Sequence, residues 1–305
     1  MTELRVLVAG AGLIGSEVTR AYKDRGAAVT CVDISESRLR TVSKQTGADV
    51  RVLDIMDTAS LADLMGCLRP QIVVHGAGRF HGRGAQEARE LVLDSVNGAG
   101  RLAVAAVRAS VSRFVLVSSL AVYASAQPQG PVAETAATGG DNPYGLAKFA
   151  TEQRVLTTCS GTGTTPVITR LAGVYGGCSG GGWLNATLQD LVATAMDERR
   201  VRIPAYLGGH ECLYVTDAAR GVLLAGDLGE AGAYNIGTGS ATSIREISDA
   251  FSALGAHVAI DETYDTSLGW WLDISKASTQ LGFVAATELA DGLMKWSTEI
   301  IRKEV

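Results

Sequence analysis

The segment VLVAGAGLIGSEV, residues 6–18, is the strongest indication of the fold, because an apolar run is followed there by three glycines within six residues. Gly10, Gly12 and Gly15 form a GxGxxG pattern between a predicted buried strand and a predicted helix. Glycines at this spacing allow a tight turn, a close approach of the backbone to a pyrophosphate, and close packing of the helix. The helix N-terminus then faces the anion. We therefore predict a dinucleotide-binding strand–turn–helix unit, the alternative being a Gly-rich turn that binds nothing.

A carboxylate, Asp33, stands at the end of the second predicted strand. In a dinucleotide-binding unit it can bond both hydroxyls of the ribose and would repel a 2′-phosphate, which favours NAD over NADP. Arg38 and Arg40 lie close in sequence and could soften this exclusion of NADP. Asp54, at the end of the third predicted strand, is placed to reach the adenine amino group or, alternatively, to cap its strand.

Strand-like and helix-like segments alternate through the first half of the chain. The predicted helices include residues 95–110 and one that starts near Pro143, and the predicted strands cover 4–10, 27–35, 49–57, 72–78, 114–119 and 166–176. This alternation predicts an α/β fold, a Rossmann-type doubly wound parallel sheet with a smaller C-terminal substrate lobe. We predict an NAD-binding domain over residues 1–175, to which the chain returns near 211–238, and a mainly substrate-binding lobe over residues 176–305.

The composition is typical of a soluble globular protein, with 305 residues, 47% hydrophobic and 19% charged. The net charge of −5 and the lack of a basic run argue against nucleic-acid binding. No signal peptide or membrane span is predicted. Five scattered cysteines without a CxxC pair disfavour a disulfide framework or a zinc site and favour a reducing, cytoplasmic location (Cys31, Cys67, Cys159, Cys178 and Cys212). The histidines show no ligand spacing, so we predict no metal (His75, His81, His210 and His257).

The octapeptide DNPYGLAK, residues 141–148, predicts a helix start with chemistry on one face. Asp141 and Asn142 are good N-cap residues, and Pro143 suits the first helical turn. Tyr144 and Lys148 then share a face, because residues four apart are neighbours on a helix. An ammonium group beside a phenol stabilises the phenolate and lowers the phenol's pKa. The alternative is a helix with two half-exposed side chains.

Together these motifs resemble the extended short-chain dehydrogenase/reductase family, the NAD-dependent epimerase/dehydratase group. The resemblance runs along nearly the whole chain, in eleven segments that keep the family's order: GAGLIGS (10–16), VDIS (32–35), LDIMD (53–57), VVHGAG (73–78), SVNGAG (95–100), FVLVSSLAVYA (114–124), YGLAK (144–148), ITRLAGVYG (168–176), LYVTDAARGVLLA (213–225), YNIGTGSATSIREI (234–247) and LDISKASTQLGF (272–283). It implies a homodimer built from the helices that contain residues 95–110 and 144–160.

The resemblance also implies a role for individual residues. Tyr144 would move the proton of a substrate hydroxyl while hydride passes to or from NAD, Lys148 would bind the nicotinamide ribose, and Ser119 would hydrogen-bond the reacting oxygen. Substrate would contact Ser119, Tyr144, Gly173 and His210. The implied NAD-binding residues, with Asn97 in an indirect role, are Gly10, Gly12, Leu13, Ile14, Gly15, Asp33, Ile34, Asp54, Ile55, Gly76, Ala77, Gly78, Asn97, Ser118, Tyr144 and Lys148.

The segments that would bind the substrate depart from the family's pattern. Sugar-nucleotide members usually hold the diphosphate with an arginine just before the segment matched by LYVTD, where this chain has His210 or Glu211. The second arginine, expected before LDISKA, is also missing. Arg199, Arg200 and Arg202 could compensate, and Trp183, Trp270 and Trp271 could stack on a base or sugar. The loop YGGCSGGGW (175–183) resembles the segment after the sixth strand of extended-type L-threonine dehydrogenases.

Three functions therefore stay open. The first is an epimerase or ketoreductase of a sugar or nucleotide sugar, and the second is an NAD-dependent dehydrogenase or reductase of a non-nucleotide alcohol or ketone. The third is a catalytically silent NAD-sensing protein, which the intact set of Ser119, Tyr144 and Lys148 disfavours. A 4,6-dehydratase is disfavoured because Leu120 and Ala121 stand where such enzymes carry an Asp-Glu pair.

Overall fold

The computed structural model describes residues 3–78, 85–123, 127–177, 180–261 and 269–304. Its strands are β1 (Arg5–Ala9), β2 (Ala28–Asp33), β3 (Asp49–Val52), β4 (Ile72–His75), β5 (Arg113–Ser119), β6 (Gly130–Val132), β7 (Thr165–Leu171), β8 (Gly173–Tyr175), β9 (Arg200–Ile203), β10 (Cys212–Tyr214), β11 (Gly232–Ile236), β12 (His257–Ile260) and β13 (Trp270–Leu272). Its helices are α1 (Leu13–Asp24), α2 (Glu36–Thr46), α3 (Thr58–Leu68), α4 (Ala85–Arg108), α5 (Pro143–Cys159), α6 (Trp183–Glu198), α7 (Val215–Leu228), α8 (Ile244–Ala253), α9 (Ser275–Leu281) and α10 (Leu289–Glu304).

A seven-stranded parallel sheet forms the centre of the molecule, in the order β11-β7-β5-β4-β1-β2-β3. The predicted Rossmann-type α/β fold is confirmed. Strand order reverses between β1 and β4, which pair directly, so the crevice for a ligand opens there at the carboxyl ends of the strands. β11 joins this sheet beside β7, within the predicted return of the chain near 211–238. The domain boundary near residue 175 stays a prediction.

Two apolar layers cover the two faces of the sheet, because successive side chains of a strand point to opposite faces. Val8 of β1 belongs to the layer that includes residues of α1, α2 and α7. Its neighbour Leu7 belongs to the layer that includes residues of α3, α4 and α5. A third cluster, around Phe251 and Trp296, joins α6, α8 and α10 with short strands of the C-terminal half.

Some boundaries differ from the sequence-based prediction. Residues 166–176, predicted as one strand, form β7 and β8, which are separated at Ala172. The chain leaves the large sheet there, and β8 pairs with β10 in a separate two-stranded sheet. Helix α4 begins ten residues before the predicted start at residue 95. Strand β3 ends at Val52, so Asp54 lies in the turn that follows it.

The described residues also bear on the predicted absences. Cys31, Cys67, Cys159 and Cys212 are free thiols, whereas the predictions that concern Cys178 and His81 fall outside the described residues. Within the same ranges, no three His, Cys, Asp or Glu side chains come together as a metal site. None of the helices in the described part of the chain has the length and apolar character to cross a bilayer.

A buried ion pair joins α5 to β7. Glu152 and Arg170 have side chains only 1% and 8% exposed, and Arg170 Nη2 donates to Glu152 Oε2 at 2.8 Å. Glu152 also accepts a hydrogen bond from Ser118 of β5. Arg170 donates further to the Tyr123 hydroxyl and to the carbonyl of Glu134. Glu152 therefore ties the helix of Tyr144 to β7 through Arg170 and to β5, the strand that ends at Ser119, through Ser118.

We predict that Arg170→Met lowers the free energy of unfolding by about 3–5 kcal/mol, because Glu152 is left buried without its cation. The matched control is Arg202→Met, which breaks an exposed pair with Asp261 and should cost less than about 1 kcal/mol. Urea unfolding of both variants measures the difference. Equal losses would show that burial of the Glu152–Arg170 pair carries no special weight.

Candidate active site

The glycine turn between β1 and α1 is built for close backbone packing. Gly10 has φ +109°, which favours glycine, and a Cβ there would lie 2.6 Å from the amide nitrogen of Ala77. A Cβ at Gly15 would lie 1.8 Å from the carbonyl oxygen of Gly10. Both positions therefore exclude any side chain, and the turn holds β1, α1 and the end of β4 in contact.

Gly12 has a different environment. It is the N-cap of α1, no side chain caps this end, and a Cβ at Gly12 would meet nothing within 4 Å. The first amide groups of α1 have no partner within the helix and are directed to this open space, where the helix dipole favours an anion. Leu13 is buried and Ile14 half-buried in the same turn. The space in front of Gly12 is therefore open, as the predicted pyrophosphate site requires.

Asp33 connects this turn to the end of β2. Its two carboxylate oxygens accept hydrogen bonds from the amides of Ala11, at 2.7 Å, and Ser35, at 2.8 Å. A carboxylate can accept about four hydrogen bonds, so capacity remains for ribose hydroxyls. Arg40 lies 3.9 Å from Glu36, and Arg38 uses its backbone amide to donate to Ser35. The remaining acceptor capacity of Asp33 suits free ribose hydroxyls, and a carboxylate there would repel a 2′-phosphate.

The predicted adenine side lies beyond β2 and β3. Ile34 is 68% exposed, and Ile55 is half-buried against Gly98 of α4. Asp54 is exposed and accepts a hydrogen bond from the amide of Met56 at 2.8 Å, as a local turn cap does. The apolar surface of Ile34 suits the face of a planar base.

Ser119, Tyr144 and Lys148 come together at the carboxyl end of β5. A Cβ at Gly145 would lie 2.1 Å from the carbonyl oxygen of Ala121, so α5 packs directly on the turn that follows Ser119. Tyr144 thereby reaches hydrogen-bond distance of Ser119. Lys148 Nζ lies 5.8 Å from the centre of the Tyr144 ring and donates to the carbonyl of Val117 at 2.9 Å.

Burial is the largest influence on the pKa values of Tyr144 and Lys148. It raises the pKa of Tyr144 to about 12, although the hydrogen bond with Ser119 acts in the opposite direction. It lowers the pKa of Lys148 to about 8, although the charge of Glu152 opposes it. The lowered phenol pKa expected from the sequence is therefore not produced by the protein groups alone. Further positive charge beside Tyr144 is needed to make it a base near neutral pH.

The crevice beside Tyr144 and Lys148 contains residues that the sequence-based prediction missed. The missed residues include His75, at the end of β4, and Ser95 of α4, which line the crevice together with the predicted Gly78. Asn97 is exposed instead. Positions 95 and 97 lie about 200° apart around a helix, so only one of them can face the crevice. The rotation of α4 relative to β4 decides which of the two residues faces the crevice, and in the structure it is Ser95. The sequence does not show this rotation.

The other predicted NAD-binding residues lie directly after β4 or near the carboxyl end of β5. Gly76 and Ala77 are half-buried directly after β4, and Gly78 beyond them is exposed. The amide of Gly76 donates to the carbonyl of Ala9 at 2.8 Å, which keeps this segment beside the glycine turn. Ser118 is buried and binds Glu152, so its hydroxyl supports the active-site strand from behind.

Gly173 and His210, the two predicted substrate-binding residues besides Ser119 and Tyr144, place no permanent cation at the site. A Cβ at Gly173 would lie 2.6 Å from Leu184 Cδ2, so no side chain fits there. His210 is exposed, but its ring packs edge-on to Trp183 at 4.9 Å, and this partial burial lowers its pKa. Glu211 is buried and accepts the amides of Thr238, Gly239 and Leu272, so it anchors two loops.

We predict a contrast between two glycine-to-alanine variants. Gly15→Ala should lower the free energy of unfolding by about 3 kcal/mol or more, because its Cβ overlaps backbone. Gly12→Ala should change stability by about 1 kcal/mol or less, yet weaken dinucleotide binding about tenfold, because its Cβ stands where the pyrophosphate approaches. Calorimetric titration and thermal unfolding measure both. Unchanged binding in Gly12→Ala would contradict the placement of the pyrophosphate.

Comparison with known proteins places this geometry in a family. The chain is 29% identical to a UDP-glucose 4-epimerase of Pasteurella multocida over 93% of both chains. It is 28% identical to a dTDP-glucose 4,6-dehydratase of Streptomyces griseus over 96% of this chain and 92% of the relative. The structure of MoeE5 in complex with UDP-glucose and NAD superposes with a TM-score of 0.79 at 26% identity, covering 99% of this chain and 100% of MoeE5. Residues 6–237 match the model of one family, and the chain belongs to the NAD dependent epimerase/dehydratase family.

Proposed function

We propose that this NAD-dependent enzyme is a nucleotide-sugar epimerase, which oxidises one secondary hydroxyl of the sugar and reduces the ketone from the opposite face. The observation that carries the proposal is the meeting of Ser119, Tyr144 and Lys148 beside the glycine turn. Its support is the match over nearly the full length to a UDP-glucose 4-epimerase and to MoeE5, whose structure contains UDP-glucose and NAD.

Each side chain has one task in this reaction. Tyr144, as a phenolate, takes the proton of the sugar hydroxyl and later returns it to the new alcohol. Ser119 hydrogen-bonds the reacting oxygen and holds it beside the phenol. Lys148 binds the nicotinamide ribose and contributes positive charge near Tyr144. Bound NAD supplies the acceptor and donor of hydride at the sugar carbon.

An exposed aromatic surface on the C-terminal half suits the rest of such a substrate. Trp183 and Tyr206 are 46% and 44% exposed, their rings are 6.3 Å apart, and His210 packs against Trp183. Aromatic faces of this kind stack on bases and sugar rings. They stand near the start of α6, whose N-cap, Gly182, carries no side-chain hydrogen bond.

A second candidate function has one specific observation in its favour. Partial burial lowers the pKa of His210 and so favours its neutral form, and Glu211 is a carboxylate, so neither supplies the permanent cation that a diphosphate prefers. A dehydrogenase or reductase of a non-nucleotide alcohol or ketone would need no such cation. The two functions differ in whether external NAD is consumed.

We also propose that the protein is a cytoplasmic homodimer. Helices α4 and α5 pack side by side and expose Leu93 and Leu146, which are 60% and 47% accessible. A second copy would cover both side chains with its own. Sedimentation equilibrium tests this proposal, and a monomer at micromolar concentration would contradict it. The free thiols of the described cysteines fit a reducing compartment.

The direct test of the function is incubation of the purified protein with UDP-glucose or UDP-galactose, without added NAD, followed by proton NMR of the sugar. We expect each compound to yield the other. Consumption of added NAD with a free alcohol, and no change in either nucleotide sugar, would favour the second candidate function instead.

We predict that Tyr144→Phe lowers turnover by at least about 10²-fold, because general acid–base catalysis contributes about that much or more. The phenyl ring still packs, so NAD affinity should stay within about twofold. Steady-state kinetics and titration with NAD measure the two quantities. Turnover within tenfold of the wild type would remove Tyr144 as the proton-transfer group.

We predict no 4,6-dehydration of a nucleotide sugar, although one relative is a dehydratase. The turn after Ser119 contains Leu120 and Ala121, which cannot protonate a leaving hydroxyl. The amide of Ala121 donates to Ser119 Oγ, so the turn is part of the site. Incubation with dTDP-glucose and UDP-glucose should give no 4-keto-6-deoxy sugar, and detection of this product would overturn the prediction.

A further inference from the structure

His75 is a buried titratable residue that the proposed reaction does not use. It is the last residue of β4 and is only 3% exposed. Its Nδ1 atom is buried and has no hydrogen-bond partner among the residues that the structure describes. Buried polar atoms in folded proteins are nearly always hydrogen-bonded, because an unmade bond costs free energy. We therefore expect Nδ1 of His75 to have a hydrogen-bond partner.

The crevice in front of His75 can hold that partner. Ser95, Tyr144 and Lys148 line the same crevice, and its open space is roughly that of one water molecule. Lys148 has three N–H donors, of which one goes to the carbonyl of Val117. A buried water needs two to four polar partners, and an ammonium, a hydroxyl and an imidazole nitrogen supply three.

The charges around the crevice fix the direction of the hydrogen bonds. Burial, together with the charge of Lys148, lowers the pKa of His75 to about 3, so the imidazole is neutral. A neutral imidazole with its proton on Nε2 presents Nδ1 as an acceptor. A water can then accept from Lys148 and donate to His75. Among the residues that the structure describes, the other titratable groups facing Lys148 are Tyr144 and Glu152, both from α5.

We infer that His75 and Ser95 hold a water molecule against the ammonium group of Lys148, and that His75 is thereby a positioning residue for this lysine. The water replaces part of the solvation that Lys148 loses on burial and keeps it charged. Loss of the acceptor at His75 removes the water and favours the neutral amine. Lys148 then loses its proton at lower pH, and the charge beside Tyr144 disappears earlier as pH rises.

The test compares His75→Leu with His75→Asn in the NAD-bound protein. Leucine and asparagine have the same shape, both lose the ring contact with Phe114, and only asparagine places an acceptor at the position of Nδ1. NMR titration of lysine side chains labelled at Cε and Nζ, assigned with Lys148→Arg, reads the pKa of Lys148 directly. This readout needs no substrate, so it stands if the proposed epimerase reaction fails.

We expect His75→Leu to lower the pKa of Lys148 by about one unit, the effect of one hydrogen bond to a charged group, and His75→Asn to leave it nearly unchanged. Equal values in the wild type and His75→Leu, or equal shifts in both variants, would overturn the inference. Ser95→Ala, which leaves β4 intact, should shift the pKa in the same direction. If His75→Leu does not fold, an unshifted pKa in Ser95→Ala overturns the inference.

Discussion

Close contact between backbones at Gly15 and Gly145 is the constraint on which the site depends. At each position a Cβ would overlap a carbonyl oxygen, of Gly10 in one case and of Ala121 in the other. The first contact brings the N-terminus of α1 to the end of β1, where an anion can bind. The second brings Tyr144 to Ser119. The buried pair of Glu152 and Arg170 then secures the same helix to β7 about two turns further along.

This close packing has an electrostatic consequence. Burial favours the neutral form of both Tyr144 and Lys148, which is the opposite of what proton abstraction requires. The protein offsets part of the effect through Glu152, whose charge raises the pKa of Lys148. A shift of the Tyr144 pKa from about 12 to about 7 needs roughly 7 kcal/mol of further stabilisation of the phenolate. Bound oxidised nicotinamide would supply positive charge, the sign that stabilises the phenolate, and the base strength of Tyr144 would then depend on the cofactor.

The sequence predicts the parts of the site that depend on local spacing. The three glycines, Asp33 at a strand end, and Tyr144 four residues before Lys148 all follow from patterns within one unit of structure. The parts that depend on the relative rotation of distant elements do not follow. For this reason the sequence indicates Asn97 and not Ser95. The break of residues 166–176 at Ala172 does not follow from the sequence either, because it depends on the pairing of β8 with β10. His210 and Glu211 adjoin in sequence, yet one ring is exposed and the other side chain buried.

The proposed reaction requires that cofactor binding turns Tyr144 into a base. It is tested most directly by titrating the phenol with ultraviolet difference absorbance, with and without saturating NAD⁺, using Tyr144→Phe to subtract the other tyrosines. We predict a pKa of about 12 for Tyr144 in the free protein. With NAD⁺ bound, we predict a value of about 8 or below, near the working pH of a general base. A phenol pKa that stays above about 10 with NAD⁺ bound, the value of an unperturbed tyrosine, would contradict the claim.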